Sequence, residues 1–414
     1  MGAFQDILQR GGTIDFRVDY YDADHAKKLS AYNEADTIRA LAGTTLSIPA
    51  AEFLTYCLFV DKRVGVTGIG SYDELRASLE DDLAQFNRGL IITSNSIATL
   101  LIGDQQIYHL TEKVGVAVAL SLANRIHGLT EADWRPIPTG TAKTLDFDYA
   151  ATLTAYVQIE AKGAAVNDNT RHKKFGEKAA DITAKKDTLP AKAGKFPVST
   201  YGTIAVLDQR SDSVLQCWLL DPPGQSPRRD PVHQRILNRL HFAAESLEVI
   251  IPKSNFVTQL YKRIAEIAEA ENLDNYNQRP LDKWGSDWEQ NIVASHAHTL
   301  DQKVFGVVLR LSDGSRFFYG IRREWLTVLE RQDMEKLSVL EWTPETVLTP
   351  LFFRESEIED DKRTDIAANI PESSPKKSRK LVAHVASLNT TTAGRVYGFI
   401  NSLSRQNNLT IDDS

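Results

Sequence analysis

An acidic and a basic side chain stand two positions apart in the segment TAYVQIEAKG, where Glu160 is followed by Ala161 and Lys162. Successive side chains of an extended strand point to opposite faces, so Glu160 and Lys162 are expected to project from the same face. The preceding segment LDFDY places Asp146 and Asp148 on one face in the same way. If the two segments pair as a hairpin, an aspartate comes close to Glu160 and Lys162.

A cluster of this kind has the parts needed to hydrolyse a phosphodiester bond. Two carboxylates that converge with a backbone carbonyl and water molecules suit a hard cation such as Mg²⁺, which takes oxygen ligands in octahedral geometry. The ion can lower the pKa of a bound water and neutralise charge at the phosphate. A neighbouring lysine can orient the attacking water and stabilise developing negative charge. These residue types therefore predict a metal-dependent hydrolase with Mg²⁺ or Mn²⁺ as its cofactor.

The spacing of these residues resembles that of the PD-(D/E)xK superfamily of nucleases, which have a restriction-endonuclease-like fold. Asp148 is followed after eleven residues by Glu160-Ala161-Lys162. An apolar helical segment precedes them, and a basic helical segment and an apolar strand follow. The resemblance implies a mixed four-stranded sheet flanked by helices in the order αβββαβ. It also implies Asp148 and Glu160 as metal ligands and Lys162 as the catalytic amine.

Two assignments stay open under this resemblance. Asp146 is the alternative first ligand because both aspartates face the same way, and Asp148 is preferred since the family's aspartate commonly precedes a hydrophobic strand. Many members add an acidic residue from the helix before the first strand, and Glu112 is the best-placed candidate for a metal ligand there. No proline precedes either aspartate, although the family name contains one, and proline binds no metal. The resemblance covers residues 112–220, about a quarter of the chain.

The same residues also allow a structural interpretation. Glu160 and Lys162 would then form an ion pair on a solvated face of a sheet, where such pairs contribute little to stability. In that case the nuclease-like core would serve as a noncatalytic scaffold or interaction subunit, and the flanking regions would bind protein partners.

A basic stretch follows the strand that carries Glu160. Residues 171–195 contain eight lysine or arginine residues against three acidic ones. Since the whole chain carries a net charge of −7, contact with the phosphate backbone of a nucleic acid must be local. The residues expected to contact phosphates near the cleavage point are Arg171, His172, Lys173, Lys174 and Lys178.

The periodicity of apolar residues predicts the elements that must position these side chains. They are a helix at 71–86 that Ser71 caps, a buried helix at 112–127, two strands within 144–164, a basic helix at 170–186, strands at 201–207 and 214–220, and helices at 230–250 and 256–270. Further along the chain, the pair Asp313-Gly314 stands between the apolar segments VFGVVLRL and RFFYGI and predicts a hairpin.

The predicted fold class is α/β, of a mixed α+β kind, with a restriction-endonuclease-like core between accessory regions. Five regions are expected: an N-terminal accessory region (1–110), a nuclease domain with a helical extension (111–300), a small mixed α/β unit (301–354), a charged linker (355–380) and a C-terminal segment (381–414). The linker is assigned because acidic residues are followed by prolines, serines and the basic run KKSRK.

The composition is that of an ordinary globular protein, with 42% hydrophobic and 25% charged residues. The two cysteines, Cys57 and Cys217, have no partner at metal-ligand spacing, which argues against a disulfide framework and a zinc–thiolate site. They are expected to be buried. The chain lacks a long apolar run and a secretory signal, so we expect no membrane contact and a cytoplasmic location.

These observations predict a Mg²⁺-dependent nuclease, with a DNA endonuclease of a prokaryotic restriction or antiphage defence system as the favoured function. The expected partners are nucleic acid, DNA before RNA, and a protein of the same defence system, with a homo-oligomer as a further expectation. Two alternatives stay open, an RNA-cleaving enzyme with the same metal site and the noncatalytic scaffold. The nuclease requires that an aspartate, Glu160 and Lys162 converge on one cleft.

Overall fold

A computed structural model describes most of the chain. The described residues are 3–60, 71–92, 95–100, 105–137, 145–166, 171–188, 196–209, 214–221, 229–282, 296–354 and 381–400. The predicted linker at 355–380 lies outside these ranges, and so do residues 401–414 of the predicted C-terminal segment.

Helices and strands are mixed along the whole chain, which confirms the predicted mixed α/β class. In chain order the helices are α1 (Ala3–Arg10), α2 (Ala23–Leu29), α3 (Ala35–Leu41), α4 (Ala50–Phe59), α5 (Tyr72–Gly89), α6 (Gln105–His127), α7 (Arg171–Thr188), α8 (Pro231–Ile250), α9 (Asn255–Glu269), α10 (Glu324–Arg331) and α11 (Met334–Val339). The strands are β1 (Thr13–Tyr20), β2 (Thr45–Pro49), β3 (Leu90–Ile92), β4 (Ile97–Thr99), β5 (Ala150–Ala151), β6 (Tyr156–Val166), β7 (Val198–Asp208), β8 (Leu215–Leu220), β9 (His296–Thr299), β10 (Val304–Arg310), β11 (Arg316–Arg322), β12 (Glu345–Arg354), β13 (Leu381–Thr390) and β14 (Arg395–Ile400).

A mixed six-stranded sheet carries the predicted site, with the strand order β2-β1-β8-β7-β6-β5. β6 and β7 are parallel, with Glu160 beside Gly202 and Lys162 beside Ile204. β5 runs antiparallel to β6, and β8 runs antiparallel to β7. Parallel neighbours need a long crossover connection, and α7 is that connection between β6 and β7.

Two helices cover opposite faces of β6 and β7. α6 packs on the face that carries apolar side chains such as Ile159. α7 packs on the other face, where a Cβ atom on Gly202 would lie 2.8 Å from Cγ2 of Ile182. Because side chains alternate along a strand, this second face also carries Glu160 and Lys162. The predicted site therefore lies between β6 and α7.

α6 approaches β6 most closely at two glycines. A Cβ atom on Gly163 would lie 1.7 Å from the carbonyl oxygen of Thr111, and one on Gly115 would lie 2.8 Å from the amide nitrogen of Gly163. No side chain fits between the two backbones at this point. The close approach explains why a glycine directly follows Lys162.

The C-terminal strands form a closed barrel in the order β10-β11-β14-β13-β12-β9. The predicted hairpin at Asp313-Gly314 joins β10 to β11, and Gly314 has a φ of 81°, in the left-handed region that favours glycine. Side chains such as Val308 and Phe318 fill one apolar cluster of the barrel. Another set, which includes Phe317, packs into the large core shared with the helices.

Helices and strand pairs cross the boundaries between the predicted regions. The boundary expected after residue 110 falls inside α6, and β1 joins the sheet of the predicted nuclease domain by parallel pairing with β8. The boundary expected after residue 300 separates β9 from β10, although these strands pair in the barrel. β13 and β14 complete that barrel from the predicted C-terminal segment. Pairing between distant segments leaves no trace in local composition, which explains the difference.

Several local elements agree with the prediction. α5 begins after Ser71, whose side chain accepts a hydrogen bond from the amide of Glu74. α6 ends at His127 as expected but begins earlier, at Gln105. The first of the two strands predicted within 144–164 is reduced to β5, because the preceding chain forms only an isolated bridge to Pro136.

Cys57 and Cys217 are both buried free thiols, as predicted. None of the helices within the described ranges combines the length and the apolar character needed to cross a membrane.

Candidate metal and catalytic site

Glu160 and Lys162 form a close pair on the face of β6 that α7 covers. Lys162 Nζ lies 2.7 Å from Glu160 Oε1. The Glu160 side chain is fully buried, whereas 19% of the Lys162 side chain is exposed. The pair therefore lies where the protein interior meets solvent, and not on an open, solvated face of the sheet.

A second amine reaches the same carboxylate from α7. Lys185 Nζ lies 2.6 Å from Glu160 Oε1 and 3.5 Å from Asp146 Oδ1. One ammonium group thus contacts both carboxylates, which places Asp146 and Glu160 side by side.

Asp146, the alternative first ligand, belongs to this cluster. Its Oδ2 accepts a hydrogen bond of 2.8 Å from the amide of Ala161, the residue between Glu160 and Lys162. β5 pairs with β6 over only two residues, so the chain before β5 offers the Ala161 amide a side-chain oxygen in place of a strand carbonyl. This contact fixes the Asp146 carboxylate beside Glu160.

Asp148, the preferred first ligand, makes a different contact. Its carboxylate accepts a hydrogen bond of 2.8 Å from the amide of Tyr149. Within the described ranges, neither a hydrogen bond nor an ion pair connects Asp148 to Glu160 or Lys162. These contacts favour Asp146 over Asp148 as the first ligand, and the choice stays a prediction. Strand alternation gives both aspartates the same face, but β5 starts only at Ala150 and leaves them in irregular chain.

The buried carboxylate of Glu160 is not fully satisfied. The two amines are ion-pair partners of the carboxylate through Oε1, but neither Oε1 nor Oε2 has a well-formed hydrogen bond to any residue that the structure describes. Burying a carboxylate oxygen without a partner is costly, because its lost hydration is not replaced. Such an atom is suited to bind a cation.

The neighbouring carboxylates keep Lys162 protonated. Burial lowers the pKa of the Lys162 amine, but the charges of Glu160 and Asp146 raise it, and the net direction is upward. Asp181 on α7 adds to the increase. Lys162 is therefore an ammonium group at neutral pH and is suited to stabilise negative charge, not to act as a general base.

These groups fit a hydrated Mg²⁺ ion. In proteins Mg²⁺ is usually bound through one or two carboxylates and keeps several water molecules. Asp146 and Glu160 supply two carboxylates, and no hydrogen bond from the described residues competes for Oε2 of Glu160. The described residues contain no group of three or more His, Cys, Asp or Glu side chains placed to hold a metal ion. The candidate site thus relies on two protein carboxylates and water.

Glu112, the predicted acidic residue of the preceding helix, is exposed on α6. Its amide nitrogen lies 3.2 Å from the position of a Cβ atom on Gly163, so its backbone is next to the residue that follows Lys162. No contact in the described part of the chain joins its carboxylate to Asp146 or Glu160. The structure brings Glu112 to the same part of β6 without placing it in the cluster.

The predicted phosphate contacts belong to the first half of α7. Lys174 Nζ donates a hydrogen bond of 2.7 Å to the carbonyl of Ala165, so this lysine ties α7 to β6. Lys178 is partly exposed and stays a candidate for phosphate contact. The side chains of the other three predicted contacts lie outside the described part of the structure: Arg171, His172 and Lys173.

Lys185 is the site residue that the sequence analysis did not single out. Lys174, Lys178 and Lys185 recur at spacings of four and seven residues, so they share one face of α7. Lys174 contacts Ala165 and Lys185 contacts Glu160. This face of α7 therefore packs along β6, and the helix runs antiparallel to the strand. The spacing identifies the face, but only the structure identifies β6 as its neighbour.

The structure thus brings four charged side chains together between β6 and α7: Asp146, Glu160, Lys162 and Lys185. Comparisons with models of protein families, with curated proteins and with solved structures found no match to the chain.

Proposed function

We propose that the protein is a Mg²⁺-dependent nuclease that hydrolyses phosphodiester bonds, with DNA as its substrate. One observation carries the proposal. Asp146, Glu160 and Lys162 converge at one partly exposed place on the sheet, where the buried Glu160 carboxylate has ion-pair partners but no hydrogen bond to the described residues. Acidic oxygens beside a protonated amine are the groups that metal-dependent phosphodiester hydrolysis requires.

Each side chain has its own role in this proposal. Asp146 and Glu160 hold the cation, which when bound activates water and neutralises charge on the phosphate. Lys162 stabilises the negative charge that develops on the phosphate oxygens. Lys185 balances the charge of the two carboxylates from α7.

The order of elements supports a restriction-endonuclease-like core. α6 precedes three antiparallel segments, which are the bridge at Pro136, the segment from Asp146 through β5, and β6. α7 then leads to β7, which is parallel to β6. This order corresponds to the αβββαβ order of the PD-(D/E)xK superfamily, with Glu160 and Lys162 on the third strand.

Substrate and setting are proposed by analogy with that superfamily. The lysines of α7 give the site local positive charge in a chain of net charge −7, which suits contact with a phosphate backbone. We place the activity in the cytoplasm, in a prokaryotic restriction or antiphage defence system. The barrel and the strands β1 and β2 are additional surfaces for a protein of that system or for a second copy of the chain.

The test is a cleavage assay on supercoiled plasmid, linear duplex, single-stranded DNA and RNA, each with Mg²⁺, Mn²⁺ or EDTA. The wild-type protein should cleave DNA only with a divalent cation. Asp146→Asn and Lys162→Met should each lower the cleavage rate by at least about 100-fold, because each removes a charge that acts on the ion or the phosphate. Asp148→Asn is the matched control and should retain wild-type activity.

The outcomes separate the candidate functions. Full activity of Asp146→Asn would show that this aspartate is not a metal ligand. Cleavage of RNA but not DNA would show that the substrate is RNA. A wild-type protein that neither binds a divalent cation nor cleaves any of the four substrates would favour the scaffold. One observation favours the noncatalytic scaffold as the second candidate function. Lys162 and Lys185 already compensate the buried charge of Glu160 without a metal ion.

A further inference from the structure

Two more polar side chains continue the line of Glu160 on β6 and β7. Gln158 and Thr200 are partners in the parallel pairing of these strands, and Glu160 follows two residues after Gln158. Paired residues, and residues two apart in a strand, project from the same face. All three side chains therefore share the face that α7 covers, about 5 Å apart between strands and about 7 Å apart along a strand.

Each of these three buried side chains has at least one polar atom without a hydrogen bond to the described residues. Glu160 and Thr200 have no exposed surface, and Gln158 is 7% exposed. The atoms Gln158 Oε1, Thr200 Oγ1 and Glu160 Oε2 have no hydrogen-bond partner in the described ranges. Buried polar groups in native proteins are nearly always paired with protein or water. Unpaired atoms on neighbouring positions therefore indicate a polar occupant.

The chemistry of the three atoms identifies this occupant. The carboxylate oxygen of Glu160 and the amide oxygen of Gln158 accept hydrogen bonds and cannot donate them, whereas the Thr200 hydroxyl does both. An anion offers only acceptors, so it could not donate a hydrogen bond to the Glu160 and Gln158 oxygens. The water molecules bound to a cation carry hydrogens that need such acceptors. A coordinated water lies about 2 Å from Mg²⁺ and hydrogen-bonds over about 2.8 Å, so it can connect an ion at Glu160 to the next side chain on the same face.

We propose that Gln158 and Thr200 hold a water molecule of the cation that Asp146 and Glu160 bind. This inference rests on the proposed function, from which it takes the cation. Gln158 accepts a hydrogen bond from the coordinated water, and Thr200 orients the same water from the neighbouring strand. Both are positioning residues, because they act on the ion through its hydration and are not metal ligands.

The test combines Mn²⁺ binding to the full chain, followed by the electron paramagnetic resonance signal of the free ion, with thermal unfolding of the metal-free chain. Gln158→Met and Thr200→Val keep the size of the side chain and remove the polar atom. Each should raise the dissociation constant for Mn²⁺ about tenfold. Each should also leave the unfolding temperature unchanged or raise it, because an unpaired buried atom is removed. Gln216→Met is the control. Gln216 lies on β8, on the same face of the sheet as Gln158 and Thr200, but its amide donates a hydrogen bond to Asp19. This variant should bind Mn²⁺ like the wild type.

Two results would overturn the inference. One is wild-type affinity for Mn²⁺ in either Gln158→Met or Thr200→Val. The other is a clear fall in unfolding temperature in both, which would show that the polar atoms have structural partners. The variant Glu160→Gln distinguishes failure of this inference from failure of the proposed function. If Glu160→Gln loses Mn²⁺ binding while the other variants keep it, the metal site stands; if the wild-type chain and Glu160→Gln bind Mn²⁺ equally, both proposals fall.

Discussion

Lys185 contacts the same two carboxylates that would bind the divalent cation. Its amine lies 2.6 Å from Glu160 Oε1 and 3.5 Å from Asp146 Oδ1, and an ammonium group and a metal ion compete for such oxygens because both are cations. Lys162 contacts Glu160 from β6 itself and is placed by the strand. We therefore expect the two lysines to have opposite effects on metal binding and catalysis.

Lys185→Met should strengthen Mn²⁺ binding. The change removes a positive charge from the binding site, so the dissociation constant should fall roughly fivefold, which corresponds to about 1 kcal/mol. In the absence of metal the same variant should unfold at a lower temperature, because the buried charge of Glu160 loses one of its two partners. Saturating Mn²⁺ should restore the unfolding temperature. Calorimetric titration and thermal unfolding measure the two effects.

Lys174→Met is the control for this prediction. Lys174 lies on the same face of α7 but bonds to the carbonyl of Ala165, so its removal should leave the affinity for Mn²⁺ unchanged. Weaker Mn²⁺ binding in Lys185→Met would contradict the competition and would indicate that Lys185 supports the bound ion.

The packing of α6 against β6 depends on a glycine at the point where the two backbones come closest. Gly163 lies beside Thr111 and Gly115 of α6, one residue after Lys162. Overpacking of a well-packed contact forces the backbone to move and destabilises the protein. The helix and the strand that carries Glu160 and Lys162 are therefore coupled through this contact.

Gly163→Ala should lower the free energy of unfolding by at least about 3 kcal/mol, because the new methyl group would lie 1.7 Å from the carbonyl oxygen of Thr111. Denaturant unfolding measures the change. Gly176→Ala in α7 is the matched control, because a Cβ atom there has no neighbour within 4 Å, and it should raise stability by about 0.5–1 kcal/mol. Equal effects of the two substitutions would contradict the close approach of α6.

A buried carboxylate joins the barrel to the rest of the molecule. Glu52 on α4 accepts hydrogen bonds from the amide and the hydroxyl of Thr392, which lies between β13 and β14. Burial raises the pKa of Glu52 to about 7, with a further increase from Glu131 and an opposing effect of the hydrogen bonds from Thr392. Ionisation of this one group is thus linked to the stability of the whole fold.

Glu52→Gln should become more stable relative to the wild-type protein as the pH rises. The folded state raises the pKa of Glu52 from 4.5 to about 7, so between these values the folded chain binds more protons than the unfolded chain, and stability falls with increasing pH. Glutamine removes this loss. The difference in unfolding free energy between variant and wild type should grow by about 2–3 kcal/mol from pH 5 to pH 8. Denaturant unfolding at both pH values measures it.

The stability of Glu52→Gln must be compared with that of the wild type at each pH, because other groups also titrate between pH 4 and pH 7. Burial also raises the pKa of Glu245 to about 7 and lowers that of His241 to about 4, so the wild-type slope is a sum of opposing effects. These groups are present in both proteins and cancel in the difference. A difference that stays constant from pH 5 to pH 8 would show that Glu52 is ionised in the folded protein throughout this range.

Local signals predicted single elements such as α5 and β6. The Ser71 cap marks the start of α5, and the alternation of side chains along β6 places Glu160 and Lys162 on one face. Both features depend on residues close in sequence. The choice between Asp146 and Asp148 was not accessible in this way, because alternation treats them alike, and it depends on where the short strand β5 begins.

The amino-acid order alone predicted the acidic and basic residue types of the candidate site, because residue types and a two-residue strand period do not depend on distant neighbours. The tertiary structure alone decided that Asp146 lies beside Glu160 and that Lys185 of α7 contacts both. It also decided that Gln158 Oε1 and Thr200 Oγ1 lie nearby without a hydrogen bond to the described residues. It also decided that β1 extends the sheet and that β12 and β13 meet in one barrel. These contacts join residues far apart in the chain, and their energies come from packing and charge compensation that no local pattern records.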